Sequence, residues 1–204
     1  MLSGGEECEL SPPPPCECVG DDGYYVPFGS GPYPMYEAEV GKRVLLDTVN
    51  QAERYVYITT PYLIIDYDLT EALVGAVLRG VDIRIITPGI ADKPIARIMT
   101  RGSFPRLLSG GVKIYEYTPG FIHTKSVVSD DKYALLGTIN LDYRSLVHHF
   151  EDAVWIYGGE TVGDVKDDFL HTLEASRKID GTELKLGPVG WCIKCFVRLF
   201  APLF

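Results

Sequence analysis

The alternation of short β-rich runs with helix-spaced segments constrains this chain most. Residues 54–60 (RYVYITT) are aromatic and β-branched and stop at Pro61; residues 81–87 (VDIRIIT) repeat the pattern and stop at Pro88. Between and around them the apolar period changes. Residues 41–53 place Val44, Leu45, Thr48, Val49 and Ala52 at helical spacing. Residues 68–79 form a second such segment, stopped by Gly80, and residues 92–108 a third, stopped by Gly110-Gly111. Strands are predicted over 112–117 and 152–157, and a last helix over 161–178. This β-α-β order predicts an α/β fold, an α/β/α sandwich with a mixed sheet and helices on both faces. No internal repeat of 20–50 residues is evident.

One stretch carries chemistry. His123-Thr124-Lys125 is followed by Asp130 and then by Gly137-Thr138-Ile139-Asn140. The spacing predicts a hairpin, with strands over 121–128 and 133–137 joined by a turn at Ser129-Asp130-Asp131-Lys132. On a strand, His123 and Lys125 share a face, because side chains alternate with period 2. A nucleophilic imidazole beside an ammonium suits attack on a phosphodiester: the histidine bonds to phosphorus and the lysine neutralises the non-bridging oxygens. Thr138 and Asn140, again two apart, bring a hydroxyl and an amide to the same place. Asp130 sits where a turn wants aspartate for backbone reasons, which argues a structural role.

The pattern H-x-K-x4-D followed by G-T-x-N resembles the signature of the phospholipase D superfamily. The longer run from Tyr117 to His123-Thr124-Lys125, through Gly137 to Leu146, and on to His149-Phe150-Glu151 resembles the C-terminal half of bacterial cardiolipin synthases. Asp142-Tyr143-Arg144-Ser145 separates that likeness from the superfamily at large. The resemblance implies a phospholipase D-like sandwich that is one half of a two-motif enzyme. It implies that His123 is a catalytic histidine, that Lys125 and Asn140 bind phosphate, and that Thr138 stands at the small hydroxyl position. It further implies that Glu151 orients the histidine and that Asp130 is the motif's aspartate. A carboxylate holding one imidazole N–H leaves the other nitrogen free to react, which is the chemical sense of Glu151. The implied reaction joins two phosphatidylglycerols into cardiolipin with release of glycerol, through a phosphohistidine, with no metal and no cofactor. Only one H-x-K is present, so the second motif is expected from a homodimer or from the N-terminal half of a split synthase. The alternatives are a homodimeric phosphodiesterase or nuclease, and an inactive half-enzyme.

Composition narrows the partners. The 204 residues are 46% hydrophobic, enough for a core, and the net charge of −9 is a poor footprint for nucleic acid. The resemblance implies anionic phospholipid (phosphatidylglycerol) and a membrane surface as partners, at the cytoplasmic face of the cell membrane. Residues 1–23, with Ser11 and the prolines after it, read as a Pro-rich linker without a signal peptide, and residues 24–182 as the catalytic domain. Residues 183–204 read as an amphipathic membrane-interface tail, or as a helix docked on the protein's own core. Cys8, Cys16, Cys18, Cys192 and Cys195 lie in these tails and read as free thiols. Pro61-Tyr62, Pro88 and residues 117–120 follow strands, where a substrate role and simple loop punctuation are equally good readings. His148 and His149 are expected on a strand, facing opposite ways, with His149 near Glu151. His171 is expected on a helix surface.

Overall fold

Strict alternation along the central strands divides the interior into two cores. In β2 (Tyr55–Thr59), Val56 and Ile58 face one way and Tyr55 and Tyr57 the other. The computed structural model describes residues 22–36 and 38–184. The Val56 side meets α1 (Val40–Gln51), α2 (Tyr67–Leu78) and α3 (Pro94–Ser109) through Leu45, Val49, Leu69, Leu73, Phe104 and Leu107. The Tyr55 side meets α4 (Glu160–Glu174) through Val162, Val165 and Phe169, with the Phe169 ring stacked on Tyr57 at 4.8 Å. The α/β/α sandwich expected from the sequence is the fold observed.

The other strands of the main sheet are β1 (Tyr24–Ser30), β4 (Asp82–Pro88), β5 (Lys113–Tyr117), β6 (Ser126–Ser129), β7 (Tyr133–Gly137), β9 (Glu151–Tyr157) and β10 (Ser176–Lys178). A separate two-stranded ladder joins β3 (Leu63–Ile64) to β8 (Leu141–Asp142). The main sheet has eight strands in the order β1-β9-β7-β6-β2-β4-β5-β10. Strands β2, β4 and β5 are parallel, and the pairings β2·β6, β6·β7, β7·β9, β9·β1 and β5·β10 are antiparallel. The sheet is therefore mixed.

Local chemistry explains most boundaries. Asp66 caps α2 by accepting from the Leu69 N–H at 3.0 Å, and Gly80 ends it at φ 93°. Pro94 opens α3, and Gly111 (φ 89°) follows its end. The last helix is shorter than the 161–178 expected. It ends at Glu174, and Ser176–Lys178 instead adds β10 to the otherwise open edge of β5, with Ser176 opposite Tyr117. An unpaired strand edge outcompetes one further helical turn because it supplies partners for its own backbone groups as well. Strand β1 runs to Ser30, which pairs with Glu151.

The tails outside residues 22–184, with all five cysteines, lie outside the described residues. Among the described residues no helix is long and apolar enough to cross a membrane.

Candidate active site

All the strand connections that matter reach one edge of the sheet. Strands β2, β4 and β5 run toward it and end at Thr59, Pro88 and Tyr117. Strand β6 starts there, with Ser126 opposite Thr59; β7 ends there, and β9 starts there with Glu151 opposite Ser30. His123, Lys125, Thr138, Asn140 and Glu151 thus gather at the carboxyl-terminal edge of the parallel strands, where open α/β sheets place ligands.

The strand expected over 121–128 begins only at Ser126, and residues 121–125 are irregular. They have no ladder to join. On one side Thr60 already gives its N–H to Ile86 and is followed by Pro61; on the other, β7 stops at Gly137. His123 and Lys125 are therefore held by loop contacts and not by strand alternation. The Lys125 ammonium donates to the His123 carbonyl at 2.7 Å, and the His123 ring lies 5.7 Å from the Phe121 ring. Partial burial lowers the Lys125 pKa from its ordinary value, while the charges of Glu151 and Asp142 oppose that shift. The lysine and both carboxylates therefore sense one another across one site.

Gly137 ends β7 because nothing larger fits. A Cβ there would stand 2.3 Å from the Asp152 carbonyl oxygen and 2.6 Å from the Ala153 Cα. That approach lets the Thr138 N–H reach Asp152 O at 2.9 Å, while the Thr138 hydroxyl accepts from Asp152 N–H at 3.0 Å and donates to Glu151 Oε2. Asn140 donates to Ser145 Oγ at 2.9 Å, and its Oδ1 is buried without a partner among the described residues.

Asp142 and Ser145, singled out only as part of a distinguishing tetrapeptide, form the floor. Asp142 is buried and accepts from the Ser145 N–H at 2.8 Å. Burial raises its pKa and the charge of Glu151 adds to the rise, against the hydrogen bonds from Ser145. The strand expected at His148 is a single π-helical turn, Arg144–His148, whose wider turn brings the His149 N–H back to Arg144 O at 2.7 Å. The Arg144 Nε–H donates to His149 Nε2 at 3.1 Å, and His149 Nδ1 stands 3.8 Å from Glu151 Oε1. Glu151 is buried; among the described residues its carboxylate accepts from the Thr138 hydroxyl and stands 3.8 Å from His149, and it makes no hydrogen bond or ion pair with His123.

Asp130 stands apart. It lies at the far end of β6, in the expected turn, with φ 58° followed by 56° at Asp131. Its buried carboxylate accepts from the N–H groups of Glu53, Arg54 and Tyr55 at 2.7, 2.9 and 2.8 Å. It ties the hairpin to the start of β2. His171 is exposed on α4. Among the described residues no cluster of three or more His, Cys, Asp or Glu side chains could hold a metal ion.

Residues 45–173 match a family model described as cardiolipin synthase, PLD-like domain. The chain is 46% identical over 183 residues to an uncharacterized protein of Streptococcus mutans, covering 89% of this chain and 39% of that one. It is 38% identical over 159 residues to a cardiolipin synthase of Halalkalibacterium halodurans, covering 78% of this chain and 31% of that one. The chain thus spans only 39% and 31% of the length of these curated relatives. Two solved structures share its fold at 19% identity. Phosphatidylserine synthase of Haemophilus influenzae matches with a TM-score of 0.70, over 89% of this chain and 47% of that one. Nuc of Salmonella typhimurium, a phospholipase D family member, matches with a TM-score of 0.62, over 76% of this chain and 99% of that one. The family match runs from α1 to α4 and contains every residue of the edge just described, so the chain belongs to the PLD-like domain family of cardiolipin synthase.

Proposed function

We propose that this chain supplies half of the active site of a phosphatidyltransferase that makes cardiolipin and glycerol from two phosphatidylglycerols. The observation that carries the reading is the single edge on which His123, Lys125, Thr138, Asn140 and Glu151 meet, joined to the family match. In the first step a histidine ring nitrogen attacks the lipid phosphorus. The N–P bond forms, the P–O bond to glycerol breaks, and a second histidine protonates the leaving glycerol oxygen. In the second step the hydroxyl of another phosphatidylglycerol attacks phosphorus and gives its proton to that second histidine, and the N–P bond breaks. His123 takes one of these two parts. Lys125 and Asn140 bind the phosphate oxygens, and the buried Asn140 amide is a polar group ready for such a ligand. Glu151 orients the site through its contacts with Thr138 and His149. Residues 24–182 are the catalytic domain in this reading, and it works at the cytoplasmic face of the membrane.

The second H-x-K comes from a partner half or from a second copy. The test is a transfer assay on vesicles containing phosphatidylglycerol, with the full chain alone and with a partner half bearing another H-x-K. Cardiolipin and released glycerol are measured, and cleavage of DNA is assayed in the same preparation. His123→Ala should reduce lipid transfer to background in every active assembly. Turnover at the wild-type rate by that variant refutes the proposal, and DNA cleavage without lipid transfer replaces it with the nuclease reading.

A further inference from the structure

Beside Phe121 the same edge carries a surface that the chemistry leaves unused. After β4 the chain passes through Gly89, Ile90, Ala91, Asp92 and Lys93 into the first turns of α3. Ile90, Ile95 and Ile98 are exposed there, at 54%, 51% and 41%. Ile95 and Ile98 are three apart on α3 and stand on one face, while Ala96, Met99 and Thr100 are buried on the other. A single exposed isoleucine means little, but three at one corner form an apolar patch.

Two of the four cations around the patch are not neutralised. Across residues 90–109 the chain has Lys93, Arg97, Arg101 and Arg106 against one acid, Asp92, although its net charge is −9. Arg101 is held by Glu116 at 2.8 and 2.7 Å, Arg106 by Glu71 at 2.6 Å, and Asp92 accepts from the Tyr62 hydroxyl at 2.6 Å. Lys93 and Arg97 have no ion-pair partner among the described residues. Lys93 is the N-cap of α3 and Arg97 lies in its first turn, on the side of the helix that faces the Tyr62 and Phe121 crevice. Exposed isoleucines and unneutralised cations gathered at one helix tip fit a bilayer with anionic headgroups: the isoleucines enter the acyl boundary and the cations meet phosphates. Nucleic acid would use the cations and leave the isoleucines in water.

The patch also adjoins the reacting edge. Ala96, Arg97, Tyr62, Pro88 and Phe121 line one crevice, and Phe121 lies 5.7 Å from the His123 ring. We infer that the corner formed by Ile90, Lys93, Ile95, Arg97 and Ile98 is a membrane-docking face that seats in an anionic headgroup layer and holds the His123 edge against its lipid. The inference rests on the reading of a lipid phosphodiester as substrate and adds the surface by which the enzyme reaches it.

The full chain tests it. Partition onto phosphatidylcholine vesicles containing phosphatidylglycerol should fall roughly tenfold in Ile95→Asp/Ile98→Asp. In a separate variant, Ile98→Trp, fluorescence should be quenched by brominated acyl chains beyond the wild-type signal, and this excess should vanish on pure phosphatidylcholine. Unchanged partition, or no excess quenching, overturns the inference. So does loss of self-association by the double variant with vesicle binding intact, which would make the corner a face between copies. Cleavage of a water-soluble short-chain phosphatidylglycerol reads the chemistry separately and should be unaltered by the double variant. If no assembly cleaves that substrate while quenching persists, the proposed reaction fails and the docking face stands.

Discussion

Replacing Asp130 with alanine should unfold the domain, not disarm its chemistry. The carboxylate is only 3% exposed and takes three backbone N–H groups at the entrance to β2. Its loss leaves those donors without an acceptor. An orphaned buried donor costs about 1–3 kcal/mol, and the partial burial of two of them favours about 1–2 kcal/mol each. The residue also sits at φ 58°, where alanine costs about 1 kcal/mol more. The sum, about 4–8 kcal/mol, is comparable to the whole stability of a typical domain, about 5–15 kcal/mol. With a urea dependence of about 2 kcal/mol per molar, the midpoint should fall by about 2–4 M. Asp130→Asn keeps the acceptor for Arg54 and Tyr55, tolerates the backbone angle and loses the bond to Glu53, so its midpoint should lie between the two. Urea unfolding followed by tryptophan fluorescence, alongside lipid transfer, reads both effects. An alanine variant with the wild-type midpoint and a loss of about 100-fold or more in turnover would place Asp130 in the chemistry and refute the reasoning.

Two further outcomes are expected. Gly137→Ala forces a methyl group into the Asp152 carbonyl, 2.3 Å away on paired backbone, so β7 must shift and carry Thr138 and Asn140 with it. Overpacking of this kind costs about 1–3 kcal/mol, so the melting temperature should drop by about 2–10 °C and transfer should fall with it; an unchanged melt and rate would contradict the close approach. Asp131 is held well below the ordinary carboxylate pKa by hydrogen bonds from Lys166 and Tyr55 and, against some burial, by Arg54. Its contribution to stability is complete above the ordinary carboxylate range, about pH 4, and is lost as pH falls toward the depressed value. Asp131→Asn should therefore be less stable than wild type at pH 7, with the gap closing in acid. A gap that is constant with pH rules out the charge as its source.

The parts of the fold set by local pattern were legible in the chain. The spacing of Val44, Leu45, Thr48 and Val49 marks α1, Gly80 and Gly111 mark helix ends, and the Pro61 and Pro88 stops mark strand ends. The turn at Asp130 was legible for the same reason, since aspartate tolerates the left-handed backbone found there. What was hidden depends on distant partners. Strand β10 exists because β5 has an open edge, and the π-helical turn after Tyr143 exists because Asp142 and Ser145 lock its start. The loop at His123 shows the limit most clearly. Period-2 alternation placed His123 and Lys125 correctly at one edge and wrongly on a strand, because nothing in their own sequence reveals that no neighbour is left to pair with them. The contact of Glu151 with Thr138 was equally invisible, since it follows from the way Gly137 lets β7 press against β9.

The two outermost strands of the sheet have a further consequence. At one border β1 carries Pro27, which has no N–H to offer a newcomer, and at the other β10 presents Arg177 and Lys178. Both borders discourage another polypeptide from lengthening the sheet. In the proposed reaction, a companion that brings the second histidine approaches end-on, loops to loops. Such a meeting buries the reacting groups between two bodies and leaves each body's hydrogen-bonded framework undisturbed.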